Sequence, residues 1–102
     1  MPKLSIAEVH ERGGGMEVRE LVEEIVRALV DQPEEVSCSE LQGTHSCVLE
    51  LRVAKGDVGK VIGKKGVHAD AIRRLVHAIG GKKKRRYVLE ILEDRDPPTQ
   101  ED

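Results

Sequence analysis

The 102-residue sequence predicts an α+β fold in the order helix, strand, strand, helix, helix, strand, with a three-stranded mixed sheet and helices packed on one of its faces. Three patterns carry that expectation. An apolar repeat of three and four residues follows Met16, period-two segments flank Gly43, and glycines at 63 and 66 separate two further helical stretches. The length suits one compact domain. Its expected bounds are 16–94, between an N-terminal extension (1–15) and an acidic tail (95–102).

The extension ends in Gly13, Gly14 and Gly15, a flexible joint, and its Leu4, Ile6 and Val9 form only a short, weakly periodic stretch. From Met16, Val18, Leu21, Val22, Ile25, Val26, Leu29 and Val30 share one helical face, with Glu17, Glu20, Glu23, Glu24 and Arg27 opposite. The acids gather early, where the helix dipole favours them, and Pro33 pushes its predecessor out of the α region and stops the helix.

Next, "EEVSCSELQ" reads as a weak strand, "GTH" as a turn and "CVLELRVA" (47–54) as a strong strand that buries Cys47, Leu49, Leu51 and Val53. The hairpin makes the pair antiparallel and the strong strand is expected at the centre of the sheet. Asp57 is positioned to cap a short helix reaching Ile62. After the loop Gly63–Gly66, a longer helix carries Ile72, Leu75, Val76 and Ile79 on one face until Gly80 and Gly81 end it. The helical pair is a crossover long enough to return the last strand, about Arg85 to Glu93, parallel to the central one. The closing "DRDPPTQED" has no apolar content and is expected to be disordered.

A net charge of −2 conceals a division along the chain. Between Lys55 and Arg86, eleven Lys and Arg face only Asp57 and Asp70, a local +9; the remainder holds six cations against seventeen acids, or −11. Segregation of that kind marks a surface that meets a polyanion. No run approaches the roughly 18 apolar residues of a membrane span, and the N-terminus lacks a signal peptide's apolar stretch, so the chain reads as cytoplasmic. Cys38 and Cys47, in no CxxC pattern, read as reduced, buried thiols. His10, His45, His68 and His77 lack metal-site spacing; no metal or cofactor is implied. No nucleophile, base and orienting group can be assembled, which argues against an enzyme.

The stretch "VIGKKG" (61–66) concentrates the chemistry. A glycine bend between helices aims backbone N–H groups and the start of the second helix at one spot, which attracts an anion, and Lys64 and Lys65 add charge there. It is not a Walker A loop: three residues rather than four separate Gly59 from Gly63, and Lys65 stands where Ser or Thr is required.

An aliphatic residue followed by Gly-x-x-Gly between two helices resembles the signature of the KH domain, and the helix and extra strand ahead of the βααβ unit resemble its type II, or prokaryotic, arrangement. More narrowly, "LVEEIVRALVDQPEEV", "VGKVIGKKG" and "AIRRLV" resemble the small single-KH bacterial proteins of the KhpA family. The resemblance spans about Met16 to Glu93 and implies a non-catalytic groove for about four nucleotides of single-stranded RNA, in a small RNA chaperone or post-transcriptional regulator. By that implication the contacts lie at Lys60, Val61, Ile62, Gly63, Lys64, Lys65, Gly66, Ile72 and Arg74, with Val61, Ile62 and Ile72 either flooring the groove or simply packing in the core. Val67 and Asp70 depart from the polar or basic residues common after the loop. The family also implies a homodimer or a complex with a larger KH-containing protein of the KhpB/Jag kind. Tyr87, the only aromatic residue, cannot by itself make a stacking platform of the RRM or OB kind. The run Lys82–Arg86 either extends the RNA track or is a solvated loop. Alternatives are a protein-interaction adaptor and a helix-turn-helix-like DNA reader, although the latter does not need a strand on each side of its helices.

Overall fold

The computed structural model describes residues 16–93; the expectations for 1–15 and 95–102 lie outside the described residues. In chain order the elements are α1 (Val18–Arg27), β1 (Ser37–Gln42), β2 (Ser46–Val53), α2 (Val58–Ile62), α3 (Val67–Lys83) and β3 (Arg86–Glu93). The strands lie in the order β1-β2-β3. β1 is antiparallel to β2, with Cys38 opposite Leu51, and β3 is parallel to it, from Ser46 opposite Arg86 to Val53 opposite Glu93. The alternation in β2 explains its central place: Cys47, Leu49, Leu51 and Val53 are fully buried on one face. On that face lie Val18, Val22 and Val26 from α1, Val61 from α2, Ile72 and Val76 from α3 and Leu89 from β3. The opposite face of the sheet carries no helix among the described residues.

Several local readings are corrected. The first helix begins at Val18 and ends at Arg27, and Pro33 opens a 3₁₀ turn, Pro33–Glu35, rather than the approach to a strand. Glu23, read as part of the outer polar face, accepts the Cys38 amide at 2.8 Å and so ties α1 to β1. Asp57 makes no side-chain cap for α2. It is 2% exposed, and its carboxylate accepts the backbone N–H groups of Asp31 at 3.2 Å and Gln32 at 3.0 Å, fastening the end of the α1 connection to the start of α2. Leu75 is 53% exposed, although its spacing placed it with Ile72 and Val76.

Gly80 and Gly81 do not end α3. The helix continues to Lys83, and Lys84 (φ 58°, ψ 40°) takes the left-handed C-terminal position that glycine usually fills. Gly80 is needed for contact instead: a Cβ there would drive into the Arg85 carbonyl and sit 3.2 Å from Tyr87 Cδ2, so the chain can turn from α3 into β3 only over a bare backbone. Gly81 has open space around its missing Cβ. Gly80→Ala is therefore expected to cost about 1–3 kcal/mol through overpacking. Gly81→Ala should stabilise the domain by about 0.5–1 kcal/mol through helix propensity. Urea unfolding of the two variants checks the opposite signs.

Burial, reinforced by Glu23 and Glu40, pushes the Cys38 thiol from 9.0 up to about 12, and burial raises Cys47 as well. Above pH 9 the unfolded chain releases a proton that folded Cys38 retains until about pH 12, so folding is progressively disfavoured as pH rises through that window. Cys38→Ala should flatten the fall of unfolding free energy between those pH values by up to about 1.4 kcal/mol per pH unit, as read from urea melts.

Candidate nucleic-acid interface

The turn between α2 and α3 is built on two glycines and a histidine. The Gly63 amide closes α2 on Gly59 O at 2.8 Å, and then its own φ of 79° swings the chain outward. A Cβ on Gly63 would lie 2.6 Å from His68 Cγ and 2.9 Å from the His68 amide nitrogen. His68 is held in that place by Nδ1, 2.8 Å from the Lys60 carbonyl. Because a carbonyl only accepts, Nδ1 carries the proton. The Gly66 amide returns to Gly63 O at 3.0 Å, and Lys65 (φ 59°) and Gly66 (φ 78°) are both left-handed. Left-handed backbone costs a side-chain-bearing residue about 1–2 kcal/mol, so Lys65 sits where a glycine would be more comfortable. Lys64 and Lys65 are exposed, and α3 begins immediately afterwards at Val67, with the unpaired amides of its first turn beside them.

The residues proposed from sequence separate into two layers. Lys60, Ile62, Lys64, Lys65 and Arg74 are exposed, and Gly63 and Gly66 are half-buried. Val61 (0% exposed) and Ile72 (3%) belong to the core, the second of the two alternatives read from the sequence, and hold α2 and α3 in place from beneath. Two of the cations have acid neighbours, Lys60 Nζ at 3.4 Å from Asp31 Oδ2 and Arg74 Nε at 3.0 Å from Asp70 Oδ2. Both pairs are solvent-exposed and cheaply broken.

A second concavity lies beside the loop. The space between α3 and β3, about 870 Å³, is rimmed by Arg73, Arg74, His77, Lys84, Arg85 and Arg86 over a wall of Val76, Gly80, Tyr87 and Leu89. Arg73 also lines the hollow at the glycine turn with Lys64, Lys65, Gly66, Val67 and Asp70. It therefore joins the two, and its guanidinium donates to the Leu89 carbonyl at 3.4 Å, on the free edge of β3. Arg85 bridges back to the Gln42 amide oxygen. Burial raises the Tyr87 hydroxyl above its ordinary range. Arg73 and His77 were not among the residues proposed from sequence. The spacing Arg73, His77, Gly81 at i, i+4 and i+8 could have placed them on one helical stripe, continuous with the basic run. Among the described residues no group of three or more His, Cys, Asp or Glu could hold a metal ion, and no helix is long and apolar enough to cross a membrane.

A βααβ unit with a glycine-bounded turn between its helices, preceded by a helix and an antiparallel strand and closed by a parallel one, defines a KH domain of the type II arrangement. A family model described as "KhpA/KhpB, KH domain" matches residues 19–91. The chain is 46% identical over 78 residues to the RNA-binding protein KhpA of Chlamydia trachomatis, covering 76% of this chain and all of the relative. It is 51% identical over 73 residues to that of Caldanaerobacter subterraneus subsp. tengcongensis (72% of this chain, 97% of the relative), and 50% over 74 residues to that of Borreliella burgdorferi (72% and 90%). No solved structure matches. The chain belongs to the KhpA/KhpB family of KH-domain proteins.

The turn's two glycines differ in what surrounds them, because a Cβ on Gly66 would meet nothing within 4 Å. Gly66→Ala should cost only its left-handed backbone, about 1–2 kcal/mol. Gly63→Ala adds the collision with His68 and is expected to cost about 1–3 kcal/mol more. Thermal melts would rank the two, and the His68 imidazole resonances should move only in the Gly63 variant.

Proposed function

We propose that the chain is a non-catalytic single-stranded RNA-binding protein of the bacterial cytoplasm, acting as a small RNA chaperone or post-transcriptional regulator. The observation that carries this reading is the continuity of cationic surface from the Gly63–Gly66 turn through Arg73 into the cleft between α3 and β3. Relatives named as RNA-binding proteins over nearly their full length support it.

In this reading about four nucleotides lie along the groove. Gly63 and Gly66 let phosphates approach the backbone, Lys64 and Lys65 supply charge at that point, and Lys60 and Arg74 exchange their weak acid partners for phosphate. Ile62, 37% exposed, offers an apolar contact beside the turn. Val61 and Ile72 act through the core, by fixing the helices that carry the turn. The basic run contributes Lys84, Arg85 and Arg86 at the far end of the cleft. A helix-turn-helix reading is disfavoured because Arg73 and His77 line a cleft against β3 instead of standing on a free helix that could enter a major groove. One such groove makes few contacts. Association with a second copy, or with a larger KH-containing protein of the KhpB/Jag kind, would join two grooves and raise the effective affinity.

Replacing both Lys64 and Lys65 with Asp tests the reading. The side chains are exposed, so stability should change by no more than about 0.5 kcal/mol per site. Fluorescence-anisotropy titration should show loss of single-stranded RNA binding with an unchanged circular-dichroism spectrum. The wild-type log–log salt slope should be about −0.7 per neutralised phosphate, for roughly two to four phosphates. Retention of wild-type affinity and slope by the double variant would mean that the loop is only a turn.

A further inference from the structure

The cationic surface has two concentrations of charge with an apolar stretch between them. Lys64, Lys65 and Arg73 stand around the hollow at the glycine turn. Lys84, Arg85 and Arg86 stand at the far end of the cleft, beyond the wall of Val76 and Leu89. None of these six cations has a carboxylate partner among the described residues. From Arg73 to Lys84 along α3 is about 16 Å. β3 runs antiparallel to α3, since Gly80 lies against Arg85 and Tyr87 while Arg73, earlier in the helix, reaches the Leu89 carbonyl. β3 therefore ends, at Glu93, at the same end of the domain as the glycine turn.

The sequence after Glu93, "DRDPPTQED" (94–102), lies beyond the span 19–91 that the family model matches. Its charges are grouped as well. Asp94 and Asp96 flank Arg95, Glu101 and Asp102 form a second pair, and the uncharged Pro97, Pro98, Thr99 and Gln100 lie between; four acids against one arginine give −3. From Asp96 to Glu101 an extended, proline-type chain covers about 16 Å, the same distance that separates the two cationic groups. The nine residues reach at most about 30 Å, more than the roughly 25 Å length of α3.

We propose that residues 94–102 fold back into the cleft between α3 and β3. Asp94 and Asp96 then stand beside Lys64, Lys65 and Arg73, Pro97 and Pro98 lie on the apolar wall, and Glu101 and Asp102 stand beside Lys84, Arg85 and Arg86. The matched spacing of charge selects this occupant, and prolines, which bring no amide donor to be satisfied, suit a wall of Val76, Leu89 and the aromatic Tyr87. Tethered directly to β3, the segment is present at an effective concentration of about millimolar, so weak ion pairs suffice to hold it. It is an internal polyanion that RNA must displace, and the apparent RNA affinity falls in proportion to the fraction of molecules whose cleft is free. That consequence rests on the RNA-binding reading of the cleft; the contact itself does not.

The full chain and a variant of equal length carrying Asp94→Asn, Asp96→Asn, Glu101→Gln and Asp102→Asn separate the contact from its consequence. Without RNA, their amide resonances should differ at Lys64, Lys65, Arg73 and residues 84–86, and should converge at about 1 M salt, where the screening length falls to about 3 Å. Neutralisation should tighten binding of a single-stranded RNA oligonucleotide about three- to tenfold at low salt. It should also steepen the log–log salt slope, because RNA no longer replaces ion pairs that salt weakens too. Glu34→Gln with Glu35→Gln removes exposed acids elsewhere and should leave both readouts near wild type. Spectra that coincide across the cleft at low salt, or that differ only away from it, overturn the proposal. So does an RNA affinity that tail neutralisation leaves unchanged, or that the Glu34 and Glu35 changes raise equally. Shifts in the cleft with no RNA binding by either protein would leave the contact standing and sink the RNA-binding reading.

Discussion

The parallel pairing of β2 with β3 is the constraint on which the rest depends. Parallel neighbours cannot be joined by a tight turn, so the chain must leave the end of β2 and travel back along the sheet before β3 can begin beside Ser46. Thirty-two residues, 54–85, make that journey. A single helix can make such a crossover, but here the path is two helices divided by the sharp turn at residues 63–66. The glycine turn therefore falls at the bend of the crossover, which leaves two lysines and the start of a long helix at one exposed point.

The same constraint explains the cleft. α3 has to end level with the start of β3, and the chain reverses there through Lys84 with the Gly80 backbone pressed against Arg85. Because β3 is an edge strand among the described residues, its outer carbonyls have no strand there to pair with, and Arg73 takes one of them. A run of cations in sequence, Lys82–Arg86, thereby comes to lie across from a helical stripe of Arg73 and His77, although the two are separated along the chain by about two turns of helix. Holding so many like charges together is costly, and the weak local acids Asp31 and Asp70 offset little of it. A polyanion would relieve that repulsion by neutralising the cations, and would release its own counterions in doing so.

Most of the fold was legible because its elements carry strong periods. Val18, Val22 and Val26 announce α1, and the alternation through β2 fixes both its face and its central place. The failures share one cause: the deciding partner was distant in sequence. Asp57 looks like a local helix cap, and only the folded chain brings the amides of Asp31 and Gln32 to it. Glu23 sits in an acidic stripe that reads as solvent-facing until β1 arrives. Gly80 and Gly81 read as a terminator because local propensity disfavours glycine in a helix, whereas close approach by Arg85 makes Gly80 necessary. Leu75 obeys the apolar period yet lies outside the face that the sheet covers. At the site, the turn and its lysines were visible as a contiguous motif, but the opposite wall of the cleft was not, since Arg73 and β3 meet only after the crossover closes.

The arrangement puts the core and the cationic surface on the same side of one thin sheet. Among the described residues the covered apolar area lies between the sheet and its helices, so the core is single-sided, and the outer face of the sheet is free to vary without disturbing it. The turn and most of the cleft rim belong to the helical side. A groove of a few phosphate contacts would give modest affinity alone, and a second binding site held in the same assembly would meet one strand at an effective concentration set by their separation, commonly millimolar.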